Sequence, residues 1–168
     1  VEFPALILIV SGGHTELVLM KNYGKYKVIG KTLDDAAGEA FDKTARLLNL
    51  GYPGGPAIAA EALKFEKLKA ISHKLKANLP RPIINSKDYN FSFSGLKTAV
   101  LYKLKELGAL TPEIKMEMAR EFQQAAIDVL VKKAEIVDGF WEVFEDMAGW
   151  GDQSGYPGES GNQVIFAH

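Results

Sequence analysis

Two apolar, β-prone runs, Ala5 to Val10 and Thr15 to Met20, are separated only by Ser11-Gly12-Gly13-His14. So short a link leaves little choice of topology: strand, tight glycine turn, antiparallel strand. Tyr26 to Thr32 alternates well enough to add a third strand. Asp34 and Asp35 then stand as candidate N-caps before Ala36, Ala37, Ala40, Phe41, Thr44, Leu47 and Leu48, an apolar set at helical spacing. This helix is expected to stop near Asn49 to Gly51. Gly54-Gly55-Pro56 is expected to turn the chain, with a second helix over 57–70 and an extended loop over 78–93. Ser94 is a plausible cap for a third helix carrying Leu96, Val100, Leu104 and Leu107, and Pro112 fits the first turn of a longer fourth helix. Strands followed by helices indicate an α/β or α+β lobe.

At 168 residues there is room for one core, and the net charge of -1 gives no global attraction to polyanions. The absence of cysteine excludes a disulfide framework, a thiolate metal site and a cysteine nucleophile, and suits a reducing cytosol. The run at 5–10 is too short for a membrane span, so no membrane role and a cytoplasmic location are expected. The chain starts Val1-Glu2-Phe3 and enters a strand almost at once, which leads to the expectation that an upstream segment has been removed. From Asp138 to His168 the composition shifts to glycine and acids, with Trp141 and Trp150, and little periodicity. The expected organisation is therefore a partial domain over 1–137 and an atypical tail over 138–168, either disordered or the product of a frameshift or truncated gene.

Several segments suit ligand chemistry. The Ser11 to His14 turn offers backbone N–H groups without side-chain bulk, which fits a phosphate; equally, it fits a hairpin turn whose glycines supply positive φ. His14 alone is more often structural than catalytic. Glu39 and Asp42, three apart on one helical face, are candidates to accept ribose hydroxyls, against the alternative of a Glu39–Lys43 surface pair. Gly54-Gly55 can pass beside a flat base or act only as a helix stop. Ser92, Ser94, Lys97 and Thr98 at a helix start form a candidate anion site, with Phe91 and Phe93 as core plugs. Lys64, Lys67, Lys69, His73, Lys74, Lys76 and Arg81 form a basic stretch that is either a solvated face or an RNA-backbone contact.

Taken in order, Ile9-Val10-Ser11-Gly12-Gly13-His14-Thr15, Asp34 to Lys43, Tyr52-Pro53-Gly54-Gly55-Pro56 and Phe91 to Thr98 resemble the tRNA N6-adenosine threonylcarbamoyltransferases, long described as O-sialoglycoprotein endopeptidases. The resemblance covers about Val1 to Val137. It implies an incomplete actin-like ATPase lobe, of the ribonuclease H-like kind shared with sugar kinases and heat-shock chaperones. It further implies transfer of threonylcarbamoyl from threonylcarbamoyl-AMP to the adenosine 3′ of the tRNA anticodon, together with partner subunits. By the same resemblance Ile9, Val10, Ser11, Gly12 and Gly13 line the adenylate, Asp42 binds the ribose and Gly55 lies against the nucleoside. The iron or zinc of such enzymes is held by an H-x-x-x-H pair and a D-N aspartate, and neither is present here, nor is the G-G-V-x-A-N turn after Val137. Alone, the chain is therefore expected to be inactive. The alternatives are a non-catalytic scaffold partner of the same complex, the metallopeptidase of the older description, for which no H-E-x-x-H is present, and a phosphotransferase.

Overall fold

A computed structural model describes residues 3–68, 77–138 and 164–167. Strands β1 (Ala5–Val10), β2 (Thr15–Asn22) and β3 (Lys25–Lys31) form an antiparallel meander. Four helices follow: α1 (Ala37–Leu47), α2 (Gly54–Leu68), α3 (Ser94–Leu107) and α4 (Pro112–Asp138). A last strand, β4 (Val164–Ala167), pairs parallel with β1, giving the sheet order β3-β2-β1-β4. The architecture is mixed α/β, as the sequence pattern indicates. The remainder of the expected tail, Trp141 and Trp150 included, lies outside the described residues.

Register fixes which face is buried, because directly opposed residues share a face. Leu8 lies opposite Leu17 and Leu6 opposite Leu19, and Leu6, Leu8 and Leu17 join the central core with residues from all four helices. Between Leu17↔Gly30 and Val18↔Val28 the register slips, so Ile29 is the extra residue of a bulge. The slip brings Gly30 beneath a crossing loop, where a Cβ would lie 2.0 Å from the Tyr89 carbonyl oxygen. Only a glycine admits that crossing.

Aromatic side chains close the core between the helices. Half-buried Phe41 of α1 meets Phe122 of α4 edge-on at 5.0 Å, and Phe91 and Phe93 stack at 6.3 Å in the interior. Phe91 and Phe93 are thus core plugs, as the sequence reading expects. The basic stretch is held partly by acids of α4. Glu117 accepts the Ala77 N–H at 2.7 Å, Glu121 accepts the Leu79 N–H at 3.2 Å, and Arg81 is bridged by Glu121 and Asp128. Lys64 is paired with Glu61. Lys69, His73, Lys74 and Lys76 lie outside the described residues.

Three sequence expectations about helix ends need correction. Neither Asp34 nor Asp35 caps α1: its N-cap is Ala36, without a side-chain bond. Its leading N–H groups are instead taken by other parts of the fold, Ala37 donating to Thr15 Oγ1 at 2.8 Å and Gly38 to the Ser11 carbonyl at 3.1 Å. Gly54-Gly55-Pro56 is not a turn before a helix but the first turn of α2 itself. Ser94 does not cap α3; the N-cap position is Phe93, and Ser94 is the first helical residue.

Candidate functional site

Strand β1 delivers the chain into the Ser11 to His14 turn, and the turn is closed internally. Ser11 N–H donates to the His14 carbonyl at 2.8 Å, while Ser11 Oγ accepts Gly13 N–H at 3.3 Å and His14 N–H at 3.0 Å. Neither Gly12 nor Gly13 has positive φ, which overturns the idea that these glycines are needed for left-handed backbone. Their value lies in bareness and exposure. Two consecutive N–H groups converge on one oxygen, the arrangement that binds anions, and here the serine hydroxyl is that oxygen. Ile9 and Val10, half-buried, anchor the turn to the sheet.

Helix α1 is pressed onto this turn. A Cβ on Gly38 would stand 2.6 Å from the Ser11 carbonyl oxygen and 2.8 Å from Gly12 Cα and N, so the seam is backbone against backbone. Asp42 lies one helical turn further along the same face, ~6 Å up the axis. There a second seam forms: Asp42 Oδ1 accepts the Gly54 N–H at 2.7 Å, and a Cβ on Gly54 would come 2.5 Å from Asp42 Cα. The next residue, Gly55, has nothing within 4 Å of where its Cβ would be. Ser11, Gly12, Asp42 and Gly55 are therefore neighbours along one ridge, brought together by two glycine contacts.

The other candidates fall into structural roles. Glu39 is not paired with Asp42 toward a ligand; it bonds Lys43 at 2.9 Å, and Lys43 also holds Asp35 at 2.7 Å. The hydrogen bond and charge of Lys43 lower the Glu39 carboxyl below its ordinary range. The α3 start is not an open anion site either. Asp34 Oδ1 accepts the Phe93 and Ser94 N–H groups at 2.8 and 3.1 Å, and its Oδ2 accepts the Ser92 and Ser94 hydroxyls at 2.6 and 2.8 Å. The chain supplies its own anion there. Partial burial raises the Asp34 pKa, but the bonds from Ser92, Phe93 and Ser94 outweigh it and the net shift is downward. His14 is exposed, and its imidazole has no bond among the described residues.

The four sequence segments thus meet in one region, with β1, α1 and α2 contributing the ridge and Asp34 tying α3 to the loop that leads into α1. The family model for TsaD, tRNA N6-adenosine threonylcarbamoyltransferase, matches residues 1–141, which contain every one of these positions. The chain belongs to that family. It is 52% identical to the tRNA N6-adenosine threonylcarbamoyltransferase of Nitrosospira multiformis over 132 residues, covering 79% of this chain and 37% of that protein. The Thermosipho melanesiensis protein of the same name is 53% identical over 130 residues (77% and 37%), and that of Paracidovorax citrulli 52% over 132 (79% and 36%). The chain spans just over a third of the length of these threonylcarbamoyltransferases.

Sequence reasoning passed over Gly38 and Lys133, and gave Asp34 and Gly54 roles other than the ones they have. Gly38 had a legible signal: a glycine between Ala37 and Glu39 in a helical pattern costs up to about 1 kcal/mol against Ala and needs a reason, here the approach of α1 to the turn. Lys133 had none. It is fully buried on α4, donating to the Ser86 and Asp88 carbonyls at 3.2 and 2.8 Å and to Ser86 Oγ at 2.6 Å. Burial pushes its pKa down against the opposing pull of Asp88. Among the described residues no group of three or more His, Asp or Glu is placed to hold a metal, and no helix is long and apolar enough to cross a membrane.

Proposed function

We propose that this chain is the part of a tRNA threonylcarbamoyltransferase, with an actin-like ATPase lobe, that contributes one wall of the threonylcarbamoyl-adenylate site. The observation that carries the reading is the ridge from Ser11 through Asp42 to Gly55, along which three different chemistries follow one another. At one end, Gly13 and His14 N–H groups already converge on an oxygen; a phosphoryl oxygen replacing the Ser11 hydroxyl would take both, with Ser11 rotating away. In the middle, Asp42 uses Oδ1 on Gly54 N–H and keeps Oδ2 for ribose hydroxyls, which a carboxylate accepts strongly. At the far end, the space beside Gly55 admits the flat nucleoside.

In the reaction the adenosine amine attacks the threonylcarbamoyl carbonyl, the bond to the phosphate oxygen breaks, and AMP leaves as the amine gives up a proton. Amides on the phosphate would stabilise the departing anion and hold the acyl carbon still. An iron or zinc ion, where such an enzyme carries one, would supply Lewis-acid chemistry at the acyl group. Among the described residues no group of three or more His, Asp or Glu is placed to hold that ion, and the ridge residues serve binding and orientation in this reading. Partner subunits, the tRNA substrate and a cytoplasmic setting belong to the same reading.

A scaffold role is the second reading, favoured by one observation: Ser11 and Asp42 each have a structural partner without any ligand. Calorimetric titration with a non-hydrolysable threonylcarbamoyl-adenylate mimic separates the two. Asp42→Asn keeps an oxygen for Gly54 N–H while removing the charge, so folding should persist and affinity should fall by on the order of ten-fold. Unchanged affinity in Asp42→Asn, or no binding by the parent chain alongside capture of a partner subunit, favours the scaffold.

A further inference from the structure

The β2–β3 hairpin carries charge for which the adenylate ridge has no use. From residue 21 to 31 the sequence holds Lys21, Lys25, Lys27 and Lys31 and no acidic residue. Elsewhere Lys43, Lys64, Lys103, Lys132 and Lys133 each lie against a carboxylate, while Lys87, Lys97, Lys105 and Lys115 are spread singly along the chain. Lys25, Lys27 and Lys31 make no ion pair among the described residues, although Glu16 stands opposite Lys31 in the register. Within the hairpin, the uncompensated charge therefore centres on Lys25 and Lys27.

Aromatic rings are interleaved with it. Tyr23 and Tyr26 are 75% and 66% exposed, and Phe3 braces the Tyr23 ring edge-on at 4.8 Å. β3 is an edge strand, and the loop before α3 covers only its far end: Lys31 N–H donates to Asn90 Oδ1, Phe91 N–H to the Lys31 carbonyl, and Leu33 N–H to the Phe91 carbonyl. That loop also carries exposed Lys87, while its Asp88 lies 3.7 Å from the Lys133 ammonium. Alternate residues of β3 face opposite ways, Lys25 and Lys27 to one side and Tyr26 to the other. A strand following this exposed edge would therefore meet cations and an open ring together, which suits one that offers both phosphates and unstacked bases.

We propose that the β2–β3 hairpin is an RNA-contacting surface, with Lys25 and Lys27 on phosphates and Tyr23 and Tyr26 against unpaired bases. The choice of RNA among polyanions rests on the transferase reading; the charge and the rings do not. Fluorescence anisotropy of the chain with a stem-loop RNA, repeated across salt concentrations, is the test. Lys25→Gln with Lys27→Gln is expected to weaken binding on the order of ten-fold and to flatten the log–log salt slope by about 1.4, the increment for two single-strand phosphate contacts. Tyr26→Ala is expected to weaken loop RNA on the order of ten-fold while sparing a fully paired duplex. Lys103→Gln with Lys105→Gln, the same charge removed from α3, is expected to stay within about two-fold.

Equal losses in both lysine pairs overturn the proposal. So does a hairpin variant that self-associates on size exclusion with RNA affinity intact, since edge lysines also block strand pairing. Binding to anionic vesicles but not to RNA likewise overturns it in favour of a lipid surface. Titrating the parent chain with the adenylate mimic separates the two claims: mimic binding without RNA binding sinks the hairpin alone, and RNA binding without mimic binding sinks the ridge alone.

Discussion

Substituting Gly38 by alanine tests the seam on which the candidate site is built. The added Cβ would sit 2.6 Å from the Ser11 carbonyl oxygen and 2.8 Å from Gly12 backbone atoms, none of which can swing aside as a side-chain tip would. Restoring ordinary contact requires α1 and the turn to separate by roughly 0.7 Å, against a limit near ~3.3 Å. That movement stretches the Gly38 N–H bond to Ser11, now 3.1 Å, beyond hydrogen-bonding range. Overpacking costs about 1–3 kcal/mol and the lost bond about 1 kcal/mol, offset by about 1 kcal/mol of improved helix propensity. The net loss is on the order of 2 kcal/mol, a fall in Tm of about 4–8 °C for a chain of this size. Gly55→Ala is the matched control, because it also places alanine in a helix but meets nothing within 4 Å; it should be neutral or slightly stabilising. Urea and thermal unfolding followed by circular dichroism measure both. Gly38→Ala as stable as Gly55→Ala, with mimic affinity unchanged, would refute the claim that turn and helix are locked together.

Three further outcomes follow from particular contacts. Asp34 has its pKa depressed below the ordinary 3.8, so the stability it confers is present above that value and lost as pH falls through the lower folded value; Asp34→Asn should therefore flatten the acid limb of a stability–pH curve below about pH 4 relative to the parent. Lys133→Met strips the Ser86 and Asp88 carbonyls of their shared donor and should cost about 2–4 kcal/mol in urea unfolding. Gly30→Ala, whose Cβ would meet the Tyr89 carbonyl oxygen at 2.0 Å, should unseat the crossing loop and speed amide exchange at Lys31, Leu33 and Phe91, with exchange in β1 unchanged.

What the sequence made legible is local. Alternation and a four-residue link specify the meander, and Leu96, Val100 and Met116 through Ala134 repeat at helical spacing because one face of each helix must be buried. Glycines were harder to place. Gly54 looks like punctuation in the string Tyr-Pro-Gly-Gly-Pro, yet it opens α2 because Asp42 supplies the missing acceptor for its N–H from 12 residues away. Asp34 looks like a cap for the nearest helix and instead satisfies the start of α3, some 60 positions on. Long-range partners of this kind leave no periodic trace. The Ser11 hydroxyl closing the glycine turn also escaped notice, since nothing in the residue order says whether the amides face a ligand or a neighbour.

The central claim is that the turn, Asp42 and Gly55 form one nucleotide wall, and amide chemical-shift mapping on titration with the adenylate mimic tests it most directly. The expected result is that Gly13 and His14 shift most, as their partner changes from Ser11 Oγ to a phosphoryl oxygen, with Gly54 and Gly55 next. Saturable shifts confined to α3 and α4, with the glycine turn silent, would contradict it.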